Sequence, residues 1–363
     1  MKVFIAGSGL IPVDRYYDLS LEDLAFEAYK SMLGDLKEYP KADAVVVASG
    51  YAELTDNSAN SARKIANFLG HDGATVFRVE SAEGGGSAIL TAFSLIKAGL
   101  AKSVLLFGVE KLSDQPGKFV QDYLARSLDF KDYISGLVPS NYAALMMKRY
   151  MEKYGVNYDY FVNWPVKMHE YASENPLAML KFRIKPESVK DSQVISEPLR
   201  LYDTGARGDG AAAVLLVSEE VARKYGDDLA EVRRVDGSSG ELIVDTTSQA
   251  MRILSAKLGD SLKNYYLEIH DSYSVTAAIQ LEDLGLAERG KSLTELDSLE
   301  LNFSGGLKAR GYPGAATAVY QLAEVYQQLT QKFKGRRTSM EKGLVISSDD
   351  LLTVSYGVEV VRA

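Results

Sequence analysis

The chain has 363 residues, 46% hydrophobic and 25% charged, which is enough length and apolar content to bury a large core in two or more units. Its formal net charge of -8 is spread along the chain, which argues against nucleic acid or an anionic membrane surface as the main partner. With no cysteine, it has no disulfides, no cysteine-held zinc or iron–sulfur site, and no thiolate catalysis.

In chain order, residues 2–6 read as a short β-rich run. Gly7, Gly9 and Pro12 then interrupt the apolar start, which passes into Asp14-Arg15 and so lacks the pattern of a signal peptide. No apolar run is long enough to span a bilayer, so a cytoplasmic location is expected. Further strands are expected at 44–48, 75–79 and 103–107, alternating with helical stretches at 21–36 and 58–69, and this alternation argues for parallel α/β units. The apolar run 103–107 looks suited to pairing at an open sheet edge. From about 114 to 199 the pattern turns aromatic and charged, with Tyr123, Tyr133, Tyr142, Tyr150, Tyr154, Tyr158 and Tyr160, and reads as a helical insertion over a pocket. After a strand at 211–217 a second set of strands is expected at 229–235, 265–269, 298–301, 345–346 and 353–361. The chain thus divides into halves of similar grammar, 1–225 and 226–363.

The segment Val79-Glu80-Ser81-Ala82-Glu83-Gly84-Gly85-Gly86-Ser87-Ala88 joins a strand to an apolar helix through glycines. Glu83 is thereby expected at the mouth of a helix N-terminus, where unpaired N–H groups and the helix dipole favour negative charge. It is either a solvated helix-start glutamate or a carboxylate acting as base or fixed anion. Two commoner motifs fail. Gly7-Ser8-Gly9 lacks the third glycine of a dinucleotide fingerprint, and His71, His169 and His270 show no metal spacing.

The elbow resembles the nucleophile elbow of the thiolase superfamily, with glutamate in place of the acyl-accepting cysteine. Three further segments carry the same resemblance. Glu268-Ile269-His270-Asp271-Ser272-Tyr273 looks like the His-Asp-x-Phe motif of sterol-carrier-protein-X type thiolases. Asn302-Phe303-Ser304-Gly305-Gly306-Leu307-Lys308-Ala309-Arg310-Gly311-Tyr312-Pro313 is similar to the run that ends in Gly-His-Pro, and Gly208-Asp209-Gly210-Ala211 is similar to the segment closing the first half. The resemblance implies an α/β fold of five αβαβα layers built from two duplicated halves. It also implies acyl-CoA as ligand, with coenzyme A as a substrate moiety and no other cofactor or metal. A homodimer is implied, and a zinc-ribbon and OB-fold partner protein is a further possibility.

The departures fall on the family's chemistry. Tyr312 stands for the Gly-His-Pro histidine, residues 343–357 carry no second cysteine, and of the four-part machinery His270 alone remains. The resemblance implies that His270 binds the thioester oxygen; otherwise it is a packed histidine retained because Asp271 caps the next helix. Tyr312, with an ordinary pKa of about 10, suits a hydrogen-bond donor or general acid better than a base. Tyrosine at this position is similar to thiolase-like steroid side-chain aldolases, which cleave a carbon–carbon bond without an acyl-enzyme. Gly305, Gly306 and Gly311 are candidates for a loop close to substrate or for simple turns, Tyr273 for a substrate contact or packing, and Asp209 for a brace. Two functions follow: a non-covalent acyl-CoA carbon–carbon lyase, by retro-aldol cleavage or decarboxylation, or a non-catalytic scaffold subunit. Because no thiol is present, purified protein is expected to show no thiolysis of acetoacetyl-CoA and no mass change after incubation with acetyl-CoA. An adduct on Glu83 by intact mass would overturn this.

Overall fold

The computed structural model describes residues 1–80, 85–259 and 262–363. Nine strands form one sheet in the order β3-β2-β4-β7-β1-β8-β11-β10-β9. In sequence they are β1 (Val3–Leu10), β2 (Ala44–Ala48), β3 (Thr75–Val79), β4 (Ser103–Glu110), β7 (Gly210–Ser218), β8 (Ala230–Ser239), β9 (Tyr266–Ile269), β10 (Lys342–Ser348) and β11 (Val354–Arg362). The remaining two, β5 (Val194–Ser196) and β6 (Leu199–Arg200), form a separate hairpin.

The sheet contains two blocks with one pairing rule. In the first, β2 is parallel to β4, β4 antiparallel to β7, and β7 antiparallel to β1. In the second, β9 is parallel to β10, β10 antiparallel to β11, and β11 antiparallel to β8. Three residue pairs between β1 and β8 join the blocks. The expectation of parallel units therefore holds for β2, β3 and β4 and for the β9–β10 pair; the last strands of each block run antiparallel. Residues 298–301 do not form a strand either: Leu301 makes an isolated bridge to Leu267.

Two helices lie between the blocks. Gly86–Lys97 packs against β4, β2 and β7 of the first block and β8 and β11 of the second, and Thr317–Leu329 likewise reaches β10, β9, β7 and β1. A helix touching sheet on both sides is buried nearly all round, and in Thr317–Leu329 every residue but Gln327 is buried, Gln321, Glu324 and Gln328 included. The helix Leu21–Leu33 covers the outer face of the first block, started by Ser20, whose hydroxyl accepts from the Asp23 N–H while the Asp23 carboxylate accepts from the Ser20 N–H.

The run 103–107 does not form an edge. It lies within β4, buried along its length and paired on both sides, whereas the outermost strand of the first block is β3, partly exposed from Val76 to Val79. An all-apolar strand marks the middle of a sheet flanked by helices on both faces, and that is where Val104, Leu105, Leu106 and Phe107 sit.

The insertion is helical, with helices Gly117–Ala125, Phe130–Ile134, Pro139–Tyr154, Asp159–Ala172 and Pro186–Lys190. Its tyrosines serve the core. Tyr150 and Tyr160 share a hydroxyl–hydroxyl bond of 2.8 Å, and Tyr160 reaches Ser292 at 2.9 Å, which anchors the insertion to the second half. Among the described residues no helix is long and apolar enough to cross a membrane.

Candidate functional site

The site lies where four loops converge at strand ends. The first follows β9 and carries His270 and Asp271. Ile269 donates its N–H to Asn302 Oδ1 at 2.7 Å, and Asn302 itself holds a left-handed φ of 43°. The second loop is the glycine-rich run. Asp271, 1% exposed, gathers it: its Oδ1 accepts from the Leu307 N–H at 2.7 Å and from Asn302 Nδ2 at 3.1 Å, while Oδ2 accepts from Trp164 Nε1 at 3.0 Å. Asp271 therefore does not cap the following helix Ser274–Asp283, whose first turn is bounded by Tyr273 and Thr276. Burial pushes the Asp271 carboxyl up to about 7, against the pull of those donors.

The third loop, residues 204–208, is stitched to both. Gly205 donates to the Ser272 carbonyl at 2.7 Å, Ala206 to the Leu307 carbonyl at 3.0 Å, and Tyr312 to the Ala206 carbonyl at 2.7 Å. These bonds lay Arg207 along the Tyr312 ring, its guanidinium carbon 4.3 Å from the ring centre. The fourth is the turn between β10 and β11. Asp349 builds that turn by accepting from the Thr353 and Val354 N–H groups at 2.6 and 3.0 Å, leaving Asp350 to point inward.

The resulting cluster is compact. The Tyr312 hydroxyl donates to Asp350 Oδ1 at 2.6 Å and lies 3.3 Å from His270 Nε2; His270 Nε2 is 3.8 Å from the same carboxylate oxygen, and Arg207 Nη2 binds Asp350 Oδ2. Burial alone would raise the Asp350 pKa. The Arg207 charge, together with the neighbouring His270 ring and the Tyr312 hydroxyl, outweighs it and holds the carboxyl below its ordinary range, so Asp350 is ionised.

A cavity of about 480 Å³ opens onto this cluster. Tyr312, Arg207, Tyr273 and Ser272 form its floor, and Leu124, Val138, Pro139 and Ile195 from the insertion and the β5–β6 hairpin roof it. Its mouth carries exposed Leu201 and Ile195. His270, with no exposed surface, is not among the residues lining it and reaches it only through Tyr312.

Of the residues singled out from sequence, His270, Tyr312 and Tyr273 converge here. Glu83 lies outside the described residues. Gly305, Gly306 and Gly311 all have positive φ, but a side chain on them would meet Ala172, the Asp271 carboxylate and Val13 respectively, so their close approach is to protein. Asp209 is a brace: Oδ1 accepts from the Leu112 and Ser113 N–H groups at 2.7 and 2.8 Å, and Oδ2 from the Tyr16 N–H at 3.0 Å. Arg207 and Asp350 were not read from the sequence. The available signal was the pair Asp349-Asp350 inside the apolar stretch where the resemblance calls for a second cysteine.

Beneath the floor lies a second charged group. Arg310 Nε is 3.1 Å from Glu324 Oε1, and Ser304 donates to Glu268 Oε2 at 3.0 Å, all four side chains buried. Burial raises the carboxyls of both Glu268 and Glu324.

The thiolase N-terminal domain matches residues 3–220 and the thiolase C-terminal domain-like family matches residues 262–353, so the chain belongs to the thiolase family. Acetyl-CoA acetyltransferase of Methanothermobacter thermautotrophicus is 31% identical over 90% of both chains. Human sterol carrier protein 2 is 27% identical over 97% of this chain and 71% of that protein. The solved Ltp2-ChsH2(DUF35) aldolase superposes with a TM-score of 0.82 at 21% identity, covering 99% of this chain and 98% of that one.

The buried carboxyls set a pH dependence. Asp271 and Glu110 each have a folded pKa raised to about 7, so the native state holds protons that the unfolded chain has already released. Their contribution is complete below the ordinary carboxyl range and is lost as pH rises through about 7. The urea midpoint is therefore expected to fall between pH 5 and pH 8, and by less in Asp271→Asn. A midpoint that is flat or rises over that interval would show that these groups are ionised in the fold.

Proposed function

We propose that this protein is an acyl-CoA carbon–carbon lyase acting by non-covalent retro-aldol cleavage of a β-hydroxyacyl thioester. The observation that carries the reading is the Tyr312, His270, Asp350 and Arg207 cluster at the floor of a cavity, in a chain with no thiol. The aldolase named in the solved neighbour supports it. Decarboxylation needs no proton removed from the substrate, whereas retro-aldol cleavage does, and a relay leading away from the cavity suits the latter.

The proton of the β-hydroxyl passes to the Tyr312 oxygen as the Tyr312 hydroxyl turns from Asp350 Oδ1 and gives its own proton to His270 Nε2. The Cα–Cβ bond breaks, the β-oxygen becomes a carbonyl, and the electron pair moves into the thioester enolate beside the Arg207 guanidinium. The relay then runs backwards: the His270 proton returns through Tyr312 to Cα, giving a shortened acyl-CoA and a free aldehyde or ketone. Ionised Asp350 stabilises the transient imidazolium and aligns the tyrosine, the electrostatic preorganisation that dominates many active sites. Tyr312 thus serves as the proton carrier in contact with substrate and His270 as the base behind it, a division that follows from which of the two lines the cavity.

Turnover of a β-hydroxyacyl-CoA panel, followed by release of the carbonyl product, is expected to fall about a hundredfold in Tyr312→Phe, the loss typical of one catalytic hydrogen-bonding group. His270→Ala should fall comparably with unchanged substrate KM. If no β-hydroxyacyl-, β-ketoacyl- or malonyl-type ester is turned over, alone or with a zinc-ribbon and OB-fold partner, the lyase reading fails and the scaffold reading takes its place. ChsH2(DUF35), the second component of the Ltp2-ChsH2(DUF35) aldolase, is the reason to include such a partner.

The half-exposed outer strand β3 supports a homodimer in which β3 pairs across the interface, since an open edge left bare invites uncontrolled association. Light scattering at micromolar concentration is expected to give twice the chain mass; a monomer there would refute it.

A further inference from the structure

Arg207 is a wall shared by two chambers. On one side is the cavity that Tyr312 floors; on the other is a second, of about 400 Å³, lined by Arg15, Tyr17, Ser113, Gln115, Gln121 and Arg207 among others, and Gln121 is likewise common to both. The two chambers differ in chemistry. Leu124, Val138, Ile195 and Leu201 make the first largely apolar, whereas the second sets two guanidinium groups, hydroxyls and amides beside Leu112 and Val120, and no acidic side chain is among the described residues that line it.

Carboxylates on the segments that line it are turned to other work, Asp114 pairing with Lys111. Asp14 accepts from the Arg15 N–H at 2.8 Å, Asp209 accepts from the Tyr16, Leu112 and Ser113 N–H groups, and Asp350 binds Arg207 from the opposite side. A thioester with its reacting carbons at Tyr312 lies beside Arg207, which stacks on that ring and also lines the second chamber. A hydrocarbon tail in that chamber would cover the Arg15 guanidinium and the glutamine amides without replacing their water, whereas a carboxylate offers them charge-assisted hydrogen bonds.

We infer that the second chamber binds a carboxylate carried on the acyl group, so that the substrate class is an acyl thioester with a free carboxylate remote from the sulfur. This deepens the lyase reading and rests on it for placing the reacting carbons at Tyr312. The alternative source of negative charge is a phosphate of coenzyme A itself, and the test separates the two.

Binding is measured by calorimetry with unreactive esters of equal carbon count, succinyl-CoA and butyryl-CoA, alongside free coenzyme A, for the wild type and for Arg15→Gln. The wild type is expected to bind succinyl-CoA about fivefold more tightly than butyryl-CoA, the size of a solvent-accessible charge contact. Arg15→Gln should abolish that difference while leaving butyryl-CoA and free coenzyme A unchanged. Equal affinities in the wild type, no binding of any ester, or a uniform loss for all three ligands in Arg15→Gln would overturn the inference, the last by assigning Arg15 to a phosphate. Because these esters carry no β-hydroxyl, the result stands whether or not cleavage activity is found.

Discussion

Removing a carboxylate from water is costly unless every oxygen finds donors, and Asp271 shows what the fold gains when they do. Its two oxygens hold the backbone of the glycine-rich run, the Asn302 amide and the Trp164 indole at once. The run can then carry Tyr312 to within hydrogen-bonding distance of His270, the residue directly before Asp271 in the chain. Gly306 is required there because a side chain would collide with the carboxylate. The loop carrying Arg207 takes its position from the same assembly through the Leu307 and Ser272 carbonyls. One buried carboxyl thus fixes three of the four described loops that compose the site.

The chemistry left to this scaffold differs in kind from that of a thiol. A cysteine stores the acyl group as a bond; a tyrosine backed by an imidazole and an ionised carboxylate can only move protons and steady charge. The arrangement is internally consistent in that respect. Arg207 keeps Asp350 ionised, and Asp350 and His270 both bear on the Tyr312 hydroxyl at the floor of the cavity.

Much of this was legible in the sequence. Apolar runs such as 44–48 and 103–107 announced strands, and the elbow and glycine-rich segments placed His270 and Tyr312 on loops at strand ends. What escaped has physical causes. A fully apolar strand reads alike whether it is central or at an edge, so β4 was taken for the edge that β3 occupies. Strand direction leaves no local trace, so the antiparallel β7 and β1 were invisible. Arg207 and Asp350 are drawn together from 143 positions apart, and a charge pair made by tertiary folding has no periodicity to reveal it. Asp271 looked like a helix cap because aspartate before a helix commonly is one; its actual partners come from residues 164 and 302–308.

The junction of β1 with β8 and the two helices shared between blocks bear on how the molecule comes apart. Duplicated halves suggest units that could melt or be expressed singly, yet each half completes the other's interior. Separated, either would expose to water a helix face and a strand edge that the whole molecule covers, an aggregation-prone surface. Likeness of the two blocks in strand pairing therefore does not make them independent parts.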